Sequence, residues 1–408
     1  MSGVFRNRYV RAILLSGLFL QIGIWVRNFA ILLFVMEQTA GNAFAISMIS
    51  VAEYAPIFLF SFLAGTFADR WRPKRTMVWC DLLSAASVLA VLLTFVFGTW
   101  KAVFFATLIS SILSQFSHPS GMKLFKLHVP AEQIQAGMSA YQTLFALFMV
   151  MGPILGTFVF QQFGVEVAMG ITIVAFLCSA AVLYSLPADP VESASSEQKQ
   201  LLAEMASGIR YVRSNRVLSL IGFTFAAAGL GLGMAQPLGI FLVTERLGLP
   251  KESLQWLLTA QGIGMIVGGA LTMIYAKNVA PQKLLVIGML GNAVAFSLSG
   301  ISTMLWLTLS ASLIAGLLLP CIQIGINTLI MKHTESSFIG RVNGILTPLF
   351  TGSMVMTMSV AGLLKENFPL VAIYQGITLL FLIGMMSMLP LMRQQAGHKQ
   401  EERIAQRN

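Results

Sequence analysis

Apolar residues run along this chain in blocks of about 20 with no polar side, separated by short charged or turn-forming stretches. A block of that length spans a ~30 Å hydrocarbon layer as a helix. Backbone groups in such a layer find no water to bond, so helices are predicted rather than strands. Twelve blocks are readable: 11–36, 45–67, 76–98, 102–121, 137–160 and 166–186, then 217–243, 253–276, 283–302, 304–331, 342–364 and 369–392. The polar interval from Pro187 to Arg216 divides them six and six. It opens as a Pro/Ser/acidic linker, "PADPVESASSEQ", and continues as "LLAEMASGIRYVRSNRVL". There Leu201, Leu202, Met205, Ile209 and Val212 recur at helical spacing, which predicts an amphipathic helix lying on the inner membrane surface.

The predicted organisation is therefore all-α: a six-helix bundle over 1–186, a linker with its surface helix over 187–216, a second six-helix bundle over 217–392 and a tail over 393–408. A faint echo links the halves, "LLFVMEQTAG" ending the first span and "GIFLVTERLG" ending the seventh. Two halves of this kind are how repeat-built transporters are made, with the substrate path between them.

Composition agrees with the pattern. Hydrophobic residues make up 56% of the 408 residues and charged ones 10%, with a mean hydropathy of +0.79; soluble domains carry roughly 25% charged residues. A net charge of +10 would suit a nucleic-acid binder, but its distribution excludes that class. With the N-terminus placed inside, nearly all of the 26 Lys and Arg fall in inner loops, and only Lys101, Arg246, Lys251, Lys365 and Arg27 lie on the outer side or in a span. That asymmetry predicts both termini in the cytoplasm and a multi-pass protein of the cytoplasmic membrane. The first block is too long for a secretory signal and reads as a retained helix. Cys80, Cys178 and Cys321 fall in predicted spans and offer no disulfide framework.

One stretch concentrates charge. "AGTFADRWRPKRTM" places Gly65, Asp69, Arg70, Arg72, Lys74 and Arg75 in the inner loop between the second and third spans. With the six-plus-six layout, this Gly-x-x-x-Asp-Arg pattern resembles the loop motif of the major facilitator superfamily, and the resemblance covers almost the whole chain. In physical terms Gly65 permits close helix approach, and Asp69 suits Arg70 or the positive end of a neighbouring helix. The resemblance implies a conformational latch at these six residues; the bases alone also satisfy the inside rule. The corresponding second-half stretch, "GALTMIYAKN", keeps Gly269 but has Met273 where an Asp would stand.

"MGPILGTF" carries Gly152, Pro153 and Gly156 in span five. It is similar to the Gly-Pro-x-x-Gly of the superfamily's antiporters, although Phe145 and Phe148 occupy the turn where further glycines are usual. Pro153 predicts a bend, and the glycines close packing across the two halves; packing alone is the alternative. The stretches "LLFVMEQTAGNAFAISMISVAEYAPIFLFSFLAGTFADRW" and "HPSGMKLFKLHVPAEQIQAGMSAYQ" resemble the macrolide-efflux and siderophore-export branch of proton-coupled drug antiporters.

Ionisable groups inside spans cost about 2.5–3.5 kcal/mol each on insertion scales, so each calls for a reason. Arg27 and Glu53 lie nine and eight residues from the outer ends of spans one and two. At 1.5 Å per residue both sit roughly 12–14 Å deep, which predicts a buried pair in contact. Either it is a permanent bridge fixing the hairpin, or Glu53 exchanges a proton and Arg27 tunes its affinity. Asp81 belongs to the inner clasp or is a second proton site. His118 suits either an interface hydrogen bond or coupling.

Gln21, Trp25 and Asn28 share one face of span one, Gln323 and Asn327 one face of span ten; Ser114 lies with Ser110 and Ser117 on span four, and Gln236 precedes Pro237 in span seven. The resemblance makes these four helices the lining of the path, with Phe29, Tyr54 and Phe58 near it. The 23 Met and 29 Phe suit an adaptable apolar cavity. "QGIGMIVGG", with Gly262, Gly264 and Gly268, follows no strand, so it reads as helix packing rather than dinucleotide binding. No phosphate-binding Gly-Lys-Ser/Thr motif, metal cluster or catalytic set is found, so no cofactor and no enzyme activity are expected. The expectation is a monomeric, proton-driven exporter of hydrophobic or amphiphilic compounds, whose partners are the bilayer, the substrate and protons. A dedicated exporter of one metabolite, such as a siderophore or lysolipid, and an uncoupled facilitator are the alternatives.

Overall fold

The computed structural model describes the backbone of residues 7–95, 100–187, 201–275, 279–335 and 338–405, and their side chains except at 61–70, 100, 131, 201–205 and 391–405. Regular structure among them is helical throughout. The first unit holds α1 (Arg8–Gln38), α2 (Ala43–Arg70), α3 (Pro73–Phe95), α4 (Val103–His128) and α5 (Ala131–Tyr184). The second holds α6 (Leu201–Ser214), α7 (Arg216–Phe241), α8 (Leu254–Tyr275), α9 (Pro281–Ile301), α10 (Leu305–His333), α11 (Ile339–Asn367) and α12 (Leu370–Ala405). The unit boundary falls between Ser196 and Glu197.

Ten described helices are long and apolar enough to cross a membrane. One of them, Glu132–Tyr184, breaks at Gly164 (φ 76°) into two consecutive helices. α4, with 26 residues, is about 39 Å long and adds a further crossing, its apolarity diluted by serines and the bases at its end. The described residues thus form twelve membrane-length helices, the number the apolar blocks predict.

Packing repeats from one unit to the other. α1 packs on both parts of α5, α2 on α4, and α3 on α4 and α5; likewise α7 packs on α11 and α12, α8 on α10, and α9 on α10 and α12. The ends of corresponding helices match too. Asn7 Oδ1 accepts the Tyr9 N–H at the start of α1, and Asn215 Oδ1 accepts the Val217 and Leu218 N–H groups at the start of α7. Such caps satisfy donors that a helix start leaves open. The echo between "VMEQTAG" and "LVTERLG" has a conformational cause: Gly41 (φ 81°) and Gly248 (φ 62°) both take the left-handed backbone that turns the chain after these helices.

In the first unit, two dry clusters enclose a polar middle. One contains Val10, Ile13, Met77, Leu124, Phe125 and Leu183. The other contains Ile31, Val35, Val88, Val103, Met169 and Phe176. Along α1, α3, α4 and α5 the buried polar residues Ser16, Gln21, Arg27, Asp81, Ser111 and Ser179 fall between the two in sequence.

Glycines set the closest helix approaches. In the second unit a Cβ on Gly264 or Gly268 of α8 would strike the α10 backbone at Leu313 and Leu317, and one on Gly316 of α10 would strike Gln261 of α8. The reading of these glycines as packing residues therefore holds for Gly264 and Gly268. Gly269, the counterpart of the loop-motif glycine, faces open space.

Candidate functional site

The polar middle of the first unit centres on α1 and α2. Arg27 is 3% exposed and Glu53 half-buried. The expected direct pair is replaced by a relay, because no ion pair joins the two among the described residues. Arg27 Nε and Nη2 donate to Asn28 Oδ1 at 3.1 and 2.9 Å, and Asn28 Nδ2 donates to Glu53 Oε1 at 2.8 Å. An amide has an acceptor end for the guanidinium and a donor end for the carboxylate, so Asn28 can carry the attraction through its own dipole. Arg27 Nη1 is buried and meets no acceptor among the described residues.

Local chain chemistry places Glu53. Pro56 lacks the N–H that a helix would present to the Ala52 carbonyl, which loosens α2 here. At the next carbonyl, that of Glu53 itself, the Ser111 hydroxyl donates from α4. Tyr54 lies beside Glu53, half-buried. The arrangement holds one carboxylate and one guanidinium in a membrane-spanning bundle at the two ends of a single amide. Asn28→Ala would leave two further guanidinium donors unmatched, and a loss of about 2–3 kcal/mol is expected, read as a fall in melting temperature in detergent.

Asp81 forms a separate buried group. Ser179 Oγ donates to Asp81 Oδ2 at 2.6 Å, and Ser16 and Ser179 hydroxyls lie 2.8 Å apart. All three are under 4% exposed. This staple ties α3, α5 and α1 together, so Asp81 is directed into the bundle and does not join the exposed bases Arg72 and Arg75 in a clasp.

The charged loop resolves unevenly. Gly65, Asp69 and Arg70 lie on the last turns of α2, but their surroundings fall outside the described residues. Lys74 at the start of α3 donates to the Tyr184 carbonyl at 2.9 Å and to the Leu186 carbonyl, and its ammonium sits 5.3 Å from the Tyr184 ring. It thereby caps the end of α5, where carbonyls lack helical donors and a cation is favoured.

Within the first unit the span-five glycines pack on α1. A Cβ on Gly152 would enter the Trp25 indole, and one on Gly156 would come within 2.7 Å of the Trp25 carbonyl and of Phe29 Cβ. Trp25 and Phe29, 6.0 Å apart, are knobs in a notch cut by Gly152 and Gly156, next to the bend at Pro153.

The expected cavity residues separate into two groups. Gln21 is 6% exposed, Ser110 and Ser117 are buried, and Ser114 donates back to its own helix at the Ser111 carbonyl. The span-four serines are thus largely buried or bonded to their own helix. Gln323 and Asn327 are exposed side by side on α10, opposite the buried Cys321, Ile322, Gly325 and Ile326. Gln236 is exposed on α7.

Sequence patterns missed three features: the Asn28 bridge, the Ser16–Ser179 support of Asp81, and a lock at the end of α7. There a single π turn, Leu242–Arg246, brings Glu245 to 2.9 Å from Lys365 of α11 and Arg246 to 2.5 Å from the Ile301 carbonyl. Asn28 was visible as a polar residue next to a buried charge, but nothing in the pattern distinguished bridging from lining.

A family model described as Major Facilitator Superfamily matches residues 13–244 and 221–406. The chain belongs to the major facilitator superfamily. It is a multi-pass membrane protein with the fold of a transporter. Among curated relatives, the multidrug efflux pump Tap of Mycolicibacterium fortuitum is 26% identical over 88% of this chain and 90% of its own. An MFS-type transporter of Bacillus subtilis, YkuC, is 24% identical over 90% and 87%. Macrolide efflux protein A of Streptococcus pyogenes is 23% identical over 84% and 85%. Among solved structures, the nucleoside transporter NupG aligns with a TM-score of 0.76 at 14% identity, over 95% of this chain and 99% of its own. A bacterial homologue of the iron transporter ferroportin, in an inward-facing state, aligns at 0.73 and 14%, over 93% and 98%. At these identities the structures speak for the fold alone.

Proposed function

We propose that this superfamily member exports hydrophobic or amphiphilic small molecules across the cytoplasmic membrane in exchange for protons, with both termini inside. The observation that carries this reading is the Arg27–Asn28–Glu53 relay inside membrane-spanning helices. Charge at that depth is costly and marks proton or ion paths in transporters. Glu53 is the group that takes up and releases the proton, and Arg27 acts on it through Asn28. One proton moving down 100 mV supplies about 2.3 kcal/mol, enough for tens-fold accumulation. Asp81, hydrogen-bonded to the Ser179 hydroxyl, is a second carboxyl open to protonation.

Substrate class rests on two relatives whose names are those of drug or macrolide efflux proteins, and on 23 Met with 29 Phe in the chain. The amides of Gln236, Gln323 and Asn327 are exposed on membrane helices. Amides are poorly matched to hydrocarbon, so we assign them to a wet substrate path. The motif residues Gly65, Asp69, Arg70, Arg72 and Arg75 serve as the latch between conformations.

Purified protein in liposomes with an imposed pH difference tests the reading. Accumulation of a fluorescent amphiphile against its gradient is expected, and nigericin should abolish it. Accumulation unaffected by nigericin would overturn proton exchange, and equilibration without accumulation would indicate an uncoupled facilitator.

A further inference from the structure

We propose that the exposed face of α6, together with Arg216 at the start of α7, binds the headgroups of anionic phospholipids in the leaflet at its end of the second unit. One side of the helix, with Gly208, Tyr211 and Val212, is docked on protein, while Ile209 of the apolar set stays exposed. A Cβ on Gly208 would come 3.0 Å from Ile345 and 3.3 Å from the Arg341 carbonyl of α11. Tyr211 stacks on Phe338 at 4.4 Å, nearly parallel, and its hydroxyl accepts the Glu335 N–H at 3.2 Å. Val212 is buried, and Asn215 Nδ2 donates to the His333 carbonyl at 3.2 Å.

These contacts fix depth. His333 ends α10, Phe338 and Arg341 sit at the start of α11, and Asn215 caps α7. Three membrane-spanning helices end at the level of α6, which is where lipid phosphates lie. Docking also decides which side is left. Ile209 is 44% exposed, and Arg210, Arg213 and Arg216 are all exposed. No acid lies within ion-pair distance of these arginines among the described residues. Arg210 and Arg213, three apart on one helix, share a side. Guanidinium groups bind phosphate through paired N–H donors, and a neighbouring apolar side chain such as Ile209 suits the headgroup–acyl boundary. The combination of depth, an apolar anchor and exposed arginines with no acid partner among the described residues selects a lipid over a soluble anion.

The full-length protein, purified from mixed phosphatidylglycerol and phosphatidylcholine nanodiscs, provides the test by native mass spectrometry. Wild type is expected to retain phosphatidylglycerol preferentially. The combined Arg210→Gln, Arg213→Gln and Arg216→Gln variant should lose that preference by roughly 100-fold, at about five-fold per arginine. Single Arg213→Gln should lose about five-fold, a readout that survives if the triple variant folds poorly. Arg8→Gln with Arg11→Gln, which removes inner charge from the first unit, should retain the preference. Undiminished retention in the triple variant overturns the proposal. So does an equal loss in the Arg8/Arg11 variant, which would reduce the effect to net charge. Neither result bears on proton exchange.

Discussion

Glu53→Gln is expected to reduce proton-linked transport at least tenfold while leaving the protein folded and able to bind substrate. Glutamine keeps an oxygen where Asn28 Nδ2 now donates at 2.8 Å, so the hydrogen bond survives. What it loses is the capacity to ionise, and a carrier that exchanges protons through this group cannot then couple. Drug accumulation in liposomes under a pH difference gives the rate, and a binding titration in detergent shows whether the site persists. Wild-type coupling in Glu53→Gln would dismiss Glu53, and attention would pass to Asp81. Loss of substrate binding together with coupling would place Glu53 in recognition rather than in energy conversion.

The second large effect belongs to helix packing. Gly268→Leu is expected to destabilise the protein by at least about 3 kcal/mol, because the new Cβ would meet the Leu317 backbone of α10, which has no side-chain freedom with which to give way. Gly269→Leu is the matched control: nothing lies within 4 Å of a Cβ there, so the change should stay within about 0.5 kcal/mol. Thermal melting of the two variants, one residue apart in the same helix, separates interhelical contact from any general effect of replacing glycine. Equal melting temperatures would mean that α8 and α10 are not held at this distance.

Much of the fold is legible in the sequence. Apolar blocks of span length located twelve helices, because the bilayer demands that length and forbids unpaired backbone. The depth of Arg27 and Glu53 followed from counting residues to the span ends, and the two do fall in one polar neighbourhood. Their connection did not follow. Counting places Cα atoms along an axis, whereas Asn28 intervenes through the orientation of one amide. Lys74 illustrates a related limit: sequence put it in a basic loop beside Asp69, yet it caps carbonyls 110 and 112 residues away. The span-five glycines were readable as packing residues, but not the partner they receive, Trp25 on α1.

From sequence alone came the solvent: which segments sit in lipid, how many there are, and which charges are stranded among them, since these follow from transfer energies summed along the chain. Tertiary structure decided which side of each rod meets which neighbour. A membrane helix is apolar on nearly every side, so its pattern carries almost no rotational information. Only close packing distinguishes Gly268 from Gly269, or a bridging Asn28 from one that lines a path. The docking of α6 on α11 depended in the same way on neighbours distant in the chain.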